Sequence, residues 1–413
     1  MTPGATLRAA LARAGPPGRL GAAVSGGGDS LALLVLAADW AHAQGAELAA
    51  VSVDHGLRAE SAQEVAAVAR LCAQLGVAHE VVRWQAPPGR GNLQHRARRA
   101  RQYLIAEWAR GRGIGHVALG HTLDDQAETV LMRLARGSGV DGLSAMAPRR
   151  RARGIDWLRP LLGVRRAALR EVLQARGIDW AEDPSNADAR FARVRARRAL
   201  EALAPLGIDA PGLAQTAGRL DSARRALAVT AEAAARRLLR FEAGDVLIAC
   251  EGLMALPQET RLRLVGHVLC RIASAEYRPR HAKLAALLAG GAAGRGGTLH
   301  GCRITVADGD MRITREWRAL RGVTAAPGAL WDGRWRVSGP ESGDLHVAAL
   351  GPGGLSARPG WRNAGLPAPT LEASPAVWRG DILVAAPLLE AEGGWQARLE
   401  DSPEAMIAAL LSR

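Results

Sequence analysis

The run Ala22-Ala23-Val24-Ser25-Gly26-Gly27-Gly28-Asp29-Ser30, followed at once by the apolar stretch Leu31 to Ala38, constrains this chain more than any other segment. Small residues of strand character enter three successive glycines and leave as a helix. Such a turn can bring bare backbone N–H groups against an anion at a helix N-terminus. Ser25 and Ser30 add hydroxyl donors. Asp29 would repel a phosphate unless Mg²⁺ stood between them, so the stretch predicts a metal-bound polyphosphate nucleotide, with Asp29 as the magnesium ligand. Two better-known phosphate motifs are excluded by residue type. A Walker A loop needs Lys where Asp29 stands, and the one lysine of the chain is Lys283. The dinucleotide fingerprint needs a sixth-position glycine where Leu31 stands.

Around this loop, short apolar runs alternate with helical patterns. Strands are predicted at Gly21 to Val24, Glu47 to Val53, His79 to Trp84 and His116 to Leu119, with helices between them. Alternation at this spacing implies an α/β fold, a parallel Rossmann-like sheet wrapped by right-handed crossovers. Ligands of such sheets sit at the carboxyl ends of the strands, where the Ser25 loop, the Asp54 loop and the His121 loop would gather. From Arg149 the chain reads as irregular and basic, then as helix from Val164 to Arg176. The predicted domains are a catalytic domain over residues 1–205, a helical linker domain over 206–290, and a small β-rich domain over 291–413.

A second segment, Gly120-His121-Thr122-Leu123-Asp124-Asp125-Gln126-Ala127-Glu128-Thr129, crowds acids at a strand's carboxyl end. Thr122 makes a good N-cap with Asp125 at the third helical position, which puts Asp125 and Glu128 one turn apart on one face. Two carboxylates so placed can hold an ammonium group or Mg²⁺. Arg98 and Arg101 share a side of the preceding basic helix and can reach a carboxylate or phosphate. The strip Arg190 to Arg198 carries five arginines and one aromatic, Phe191, and suits a nucleic-acid backbone or a polyphosphate transition state. The net charge of +14, almost wholly arginine, fits a polyanionic partner and equally fits a GC-rich genome. Cys72, Cys250, Cys270 and Cys302 form no C-x-x-C pair, which argues against a zinc ribbon and a disulfide framework. With no signal peptide and no membrane-length apolar run, a cytoplasmic protein is expected.

Ser25 to Ser30 resembles the pyrophosphate loop, or PP-loop, of the N-type ATP pyrophosphatases, which split ATP into AMP and pyrophosphate. With Val53 to Arg58, Gly120 to Thr129, Arg159-Pro160-Leu161-Leu162 and Glu182-Asp183-Pro184-Ser185-Asn186 in the same order, residues 19 to 200 resemble the tRNA(Ile)-lysidine synthases. The resemblance implies a ligase that uses ATP and Mg²⁺ to join free L-lysine to the wobble cytidine of tRNA(Ile) with a CAU anticodon. It implies ATP binding by Ser25, Gly26, Gly27, Gly28, Asp29, Ser30 and Asp54, and lysine binding by Arg101, Asp125 and Glu128. Catalysis falls to Asp29, Asp125 and an arginine of the strip, taken as Arg195. The family usually carries Asn between the first two arginines of that strip where this chain has Val194, so Arg193 and Arg197 stay open beside Arg195. Another PP-loop ligase forming an amide on a small metabolite is the alternative, and it leaves the arginine strip without a task. A tRNA-binding protein without catalysis would have no reason to keep mutually repelling acids. The sequence leaves the oligomeric state open, a homodimer included.

Overall fold

The computed structural model describes residues 1–15, 17–54, 61–84, 93–181, 188, 190–292, 294–340, 343–390 and 392–412. It divides into two compact units, Met1–Arg224 and Arg225–Ser412.

The first unit runs α1 (Pro3–Ala14), β1 (Arg19–Ala23), α2 (Gly28–Gln44), β2 (Glu47–Asp54), α3 (Ser61–Gln74), β3 (Ala78–Arg83), α4 (Leu93–Gly111) and β4 (His116–Leu119). It continues through α5 (Leu123–Leu134), the single turn α6 (Val140–Leu143), β5 (Arg149–Ala152), β6 (Ile155–Leu158), α7 (Arg166–Gln174) and α8 (Ala192–Leu203). Six strands form one sheet in the order β3-β2-β1-β4-β6-β5. Every neighbouring pair is parallel except β5 and β6. The parallel α/β sheet expected from the alternation is present.

The apolar run after the glycines becomes a helix buried on all sides. Leu31 through Ala37 are each at most 6% exposed, as the centre of a core that also takes Leu7 and Leu11 of α1 and Leu169 and Leu173 of α7. The opposite face of the sheet is covered by Ile105, Ala106, Trp108 and Ala109 of α4. Gly21 is required at that face, because a Cβ there would lie 3.0 Å from the Trp108 ring and 3.2 Å from Val117.

The stretch expected to be irregular after Arg149 is instead the β5–β6 hairpin. Arg153 and Gly154 both hold positive φ, 57° and 80°, as a two-residue hairpin turn requires. Three successive arginines conceal the strand period. Arg149 and Arg151 are tolerated because Nη2 and Nη1 donate to buried Asp156 Oδ2 at 2.9 and 3.1 Å.

The border between the units falls within α9 (Ala210–Leu238). In the second unit β7 (Leu239–Glu242), β8 (Asp245–Ala249), α10 (Cys250–Met254), α11 (Gln258–Ile272), α12 (His281–Ala292), β9 (Gly297–Leu299), β10 (Cys302–Ala307) and β11 (Asp310–Arg315) follow. The five strands pair in the order β7-β8-β11-β10-β9, and α11 and α12 share their core. Because β8 pairs with β11 from Val246↔Ile313 to Ala249↔Asp310, the border expected between residues 290 and 291 runs through one sheet. Two three-stranded antiparallel sheets complete the unit over residues 330–399. Buried Asp245 accepts from Thr370 Oγ1 at 2.6 Å, Thr314 Oγ1 at 2.9 Å and Arg312 Nη1 at 2.9 Å, which joins β8 and β11 to the segment around residue 370. Among the described residues no helix is long and apolar enough to cross a membrane.

Candidate active site

The glycine bend leaves β1 at its carboxyl end and starts α2. Gly27 is the N-cap and supplies no side chain, so the helix begins with main-chain groups alone. Gly26 turns the chain with φ 82°, and a Cβ on it would press on Glu64 of α3 at 3.3 Å. A Cβ on Gly27 would meet nothing within 4 Å, so space opens at the middle of the bend. Ser30 Oγ braces the loop by donating to the Gly27 carbonyl at 2.8 Å and accepting from the Ser25 N–H at 3.1 Å. Asp54 ends β2 at the same edge of the sheet, 4.0 Å from Arg83 Nε.

The acidic segment is built as its pattern predicts. Thr122 caps α5, accepting from the Asp125 N–H at 3.2 Å, while the Thr122 N–H donates to Asp125 Oδ2 at 2.8 Å. The cap uses Asp125 Oδ2 and leaves Oδ1 to other partners. Gly120 brings the two segments together: a Cβ there would lie 2.9 Å from the Asp29 carbonyl oxygen.

Between them lies Arg166, a residue that sequence reasoning missed. From the first position of α7 its Nε donates to Asp29 Oδ2 at 2.9 Å, Nη2 to Asp125 Oδ1 at 3.2 Å and Nη1 to Glu128 Oε1 at 3.4 Å. Its backbone N–H donates to Asp124 Oδ2 at 2.7 Å. One guanidinium thus gathers three carboxylates from two helices. Glu128, 1% exposed, also accepts from Arg197 Nε at 3.0 Å, and Arg193 Nη1 stands 4.0 Å from Asp125 Oδ1. Arg195, expected as the catalytic arginine, is exposed and donates to the Arg190 carbonyl at 2.8 Å. The strip is the helix α8, where residues four apart share a face, and Arg193 and Arg197 both come to the acids of α5. Reading the strip as helix would have found that pair; nothing in the sequence singles out Arg166.

The electrostatics follow from burial and from these partners. Burial pushes the Asp29 carboxyl above its ordinary range, with Asp125 adding to the rise and Arg166 opposing it. Burial also acts upward on Asp125, but Arg166, the Thr122 N–H and Arg193 outweigh it and hold that carboxyl low. His121 is driven down to about 3 by burial and by Arg159, so its ring is neutral at ordinary pH. Burial and the neighbouring Arg98 and Arg193 lower Arg101, and among the described residues it has no acidic partner. The segments His55 to Arg58 and Glu182 to Asn186, singled out in the sequence, lie outside the described residues.

A family model described as a PP-loop domain matches residues 6–203. The tRNA(Ile)-lysidine synthase of Ruegeria pomeroyi is 50% identical over 397 residues, covering 96% of this chain and 95% of that protein. The chain belongs to the tRNA(Ile)-lysidine synthase family. Proteins of the same name from a Bradyrhizobium species and a Methylobacterium species are 40% and 43% identical, over 72% and 65% of this chain and 90% and 78% of their own lengths. The bend Ser25 to Ser30 lies within the matched domain, and Arg166 links its first helical turn to the acids of α5.

Proposed function

We propose that this chain ligates L-lysine to C2 of the wobble cytidine in the CAU anticodon of tRNA(Ile). In the first step the cytidine C2 carbonyl oxygen attacks the α-phosphorus of ATP, the bond to the β-phosphate oxygen breaks, and pyrophosphate leaves. In the second, the lysine ε-nitrogen bonds to C2, the C2–O bond breaks, and AMP leaves with the oxygen. The modified base pairs with A instead of G, which moves decoding from AUG to AUA.

The observation that carries this reading is the convergence of the glycine bend with Asp125 and Glu128 through Arg166. A bend capped by Gly27 alone offers main-chain donors to the departing pyrophosphate. Arg193 and Arg197, on the facing helix, can follow charge onto the α-phosphate as the Pα–O bond breaks. Asp125 and Glu128 suit the substrate ammonium. Glu128 Oε2, buried and without a hydrogen-bond partner among the described residues, is an acceptor available for the proton that the amine must shed. Arg101, half-buried and without an acidic partner among the described residues, suits the carboxylate of lysine. Asp29 fits Mg²⁺: it is a hard oxygen ligand in the first turn after the glycine bend, beside a second acid, Asp125. Bound there, the metal would neutralise charge on the polyphosphate.

The test supplies ATP, Mg²⁺, radiolabelled L-lysine and unmodified tRNA(Ile), with anticodon variants alongside. Lysine is expected to enter the CAU tRNA in step with AMP and pyrophosphate release. Turnover of ATP with a small acceptor, while no label enters RNA, would establish the metabolite ligase instead.

A further inference from the structure

The carboxylates read above as the amine subsite are held by the chain's own arginines. Glu128 Oε1 takes Arg166 Nη1 at 3.4 Å and Arg197 at 2.9 Å, and Asp125 Oδ1 takes Arg166 Nη2 at 3.2 Å. Asp124, the neighbouring acid, takes Arg165 Nε at 3.2 Å and the Arg166 N–H at 2.7 Å. An ammonium arriving at Glu128 or Asp125 therefore meets acids whose charge is already matched, and it gains little unless a guanidinium leaves.

The same guanidinium faces the phosphate loop. Arg166 Nε lies 2.9 Å from Asp29 Oδ2, one residue beyond the last glycine of the bend. A triphosphate in the bend brings several negative charges within reach of a forked donor, and phosphate oxygens accept such a donor bidentately. The backbone of Arg166 stays pinned on Asp124, so its side chain can change partners without movement of α7.

We propose that Arg166, assisted by Arg197, is the resident occupant of the amine subsite and couples it to nucleotide. Phosphates at the bend draw the guanidinium off Asp125 and Glu128, and the substrate ammonium takes its place. Amine binding thus follows nucleotide binding, and Arg166 is a positioning residue that sets the order. The inference rests on the reading of Asp125 and Glu128 as amine ligands.

Calorimetric titration of L-lysine into the full-length protein, with and without Mg²⁺ and α,β-methylene ATP, reads the coupling. Nucleotide is expected to tighten lysine binding by about tenfold or more. In Arg166→Gln, lysine binds without nucleotide nearly as tightly as with it. In Arg197→Gln the coupling is reduced part-way, and Arg166→Lys, which keeps a cation but loses the fork, also falls short of the wild type. Circular dichroism melts report that the variants are folded, and the wild-type comparison needs no variant. Equal lysine affinity with and without nucleotide in the wild type overturns the coupling and leaves the amine subsite standing. Full coupling retained in a folded Arg166→Gln overturns the role of Arg166. Absence of lysine binding under both conditions overturns the amine subsite itself.

Discussion

Gly120 stands directly over Asp29: a Cβ built on it would lie 2.9 Å from the Asp29 carbonyl oxygen and 3.0 Å from Ser30 Cα. This close approach holds the acidic start of α5 against the glycine bend, so that one guanidinium can span both. The atoms facing Gly120 are backbone and have no rotamer by which to yield. Gly120→Ala is therefore expected to push the bend from the acids, costing about 1–3 kcal/mol of stability as an overpacked contact. A lowered thermal midpoint, with a fall in lysine incorporation measured below that midpoint, is the expected pair of readings.

Asp29 carries a carboxylate whose burial disfavours its charge. An acid raised in the folded state costs stability as pH rises above its ordinary value near 3.8. Asp29→Asn removes that penalty, and Arg166 keeps Asp125 and Glu128. The thermal midpoint at pH 7.5 is expected to hold or rise while adenylation, followed by pyrophosphate release, falls by about a hundredfold or more. Normal adenylation by the variant would remove the metal role from Asp29.

Arg197 holds buried Glu128, whereas Arg195 is exposed and bonds to the Arg190 carbonyl. Loss of a hydrogen bond to a charged group costs about 1.5–3 kcal/mol, or roughly ten- to a hundredfold. Through the contact proposed to the α-phosphate, Arg197→Ala is expected to slow adenylation, read as pyrophosphate release, by that factor and Arg195→Ala by much less. A larger loss from Arg195→Ala would reassign the transition-state contact to it.

The buried histidines make the protein sensitive to acid. His121 in the first unit and His267 in the second are held down to about 3 and about 4, in each case chiefly by burial. Below their ordinary value near 6.5, the unfolded chain takes up protons that the folded chain refuses. Each therefore withdraws up to about 1.4 kcal/mol of stability per pH unit as pH falls from 6.5 toward its folded value. Raised Asp29 and Asp245 act in the opposite sense at lower pH. Comparing thermal midpoints at pH 7.5 and pH 5 isolates the histidine: His267→Gln, which can still donate to the Met406 carbonyl, is expected to lose less on acidification than the wild type.

Local rules carried the reading far at two places. Glycines, serines and an acid between a strand and a helix, and Thr122 three residues before Asp125, depend on neighbours within one or two turns, so spacing alone specifies them. The parallel sheet was legible for the same reason, since each strand and helix announces its own period. The β5–β6 hairpin was not, because its arginines mask alternation, and Arg149 and Arg151 are balanced by Asp156, a partner that folding supplies. The second unit was read as separate helical and β pieces because strands of four or five residues, such as β7 and β8, carry little pattern until a partner strand is found.

Sequence by itself therefore determined the glycine bend, the acid pair and the sheet that lifts both to one edge. Only tertiary structure decided which cations meet those acids. Arg166 lies 137 positions from Asp29 and opens an ordinary amphipathic helix, so no local pattern marks it. The packing of α8 on α5 brings Arg193 to Asp125 and Arg197 to Glu128. Burial makes those choices matter: an acid that is 1% exposed must find its counter-charge in the folded chain, and proximity in space, not in sequence, supplies it.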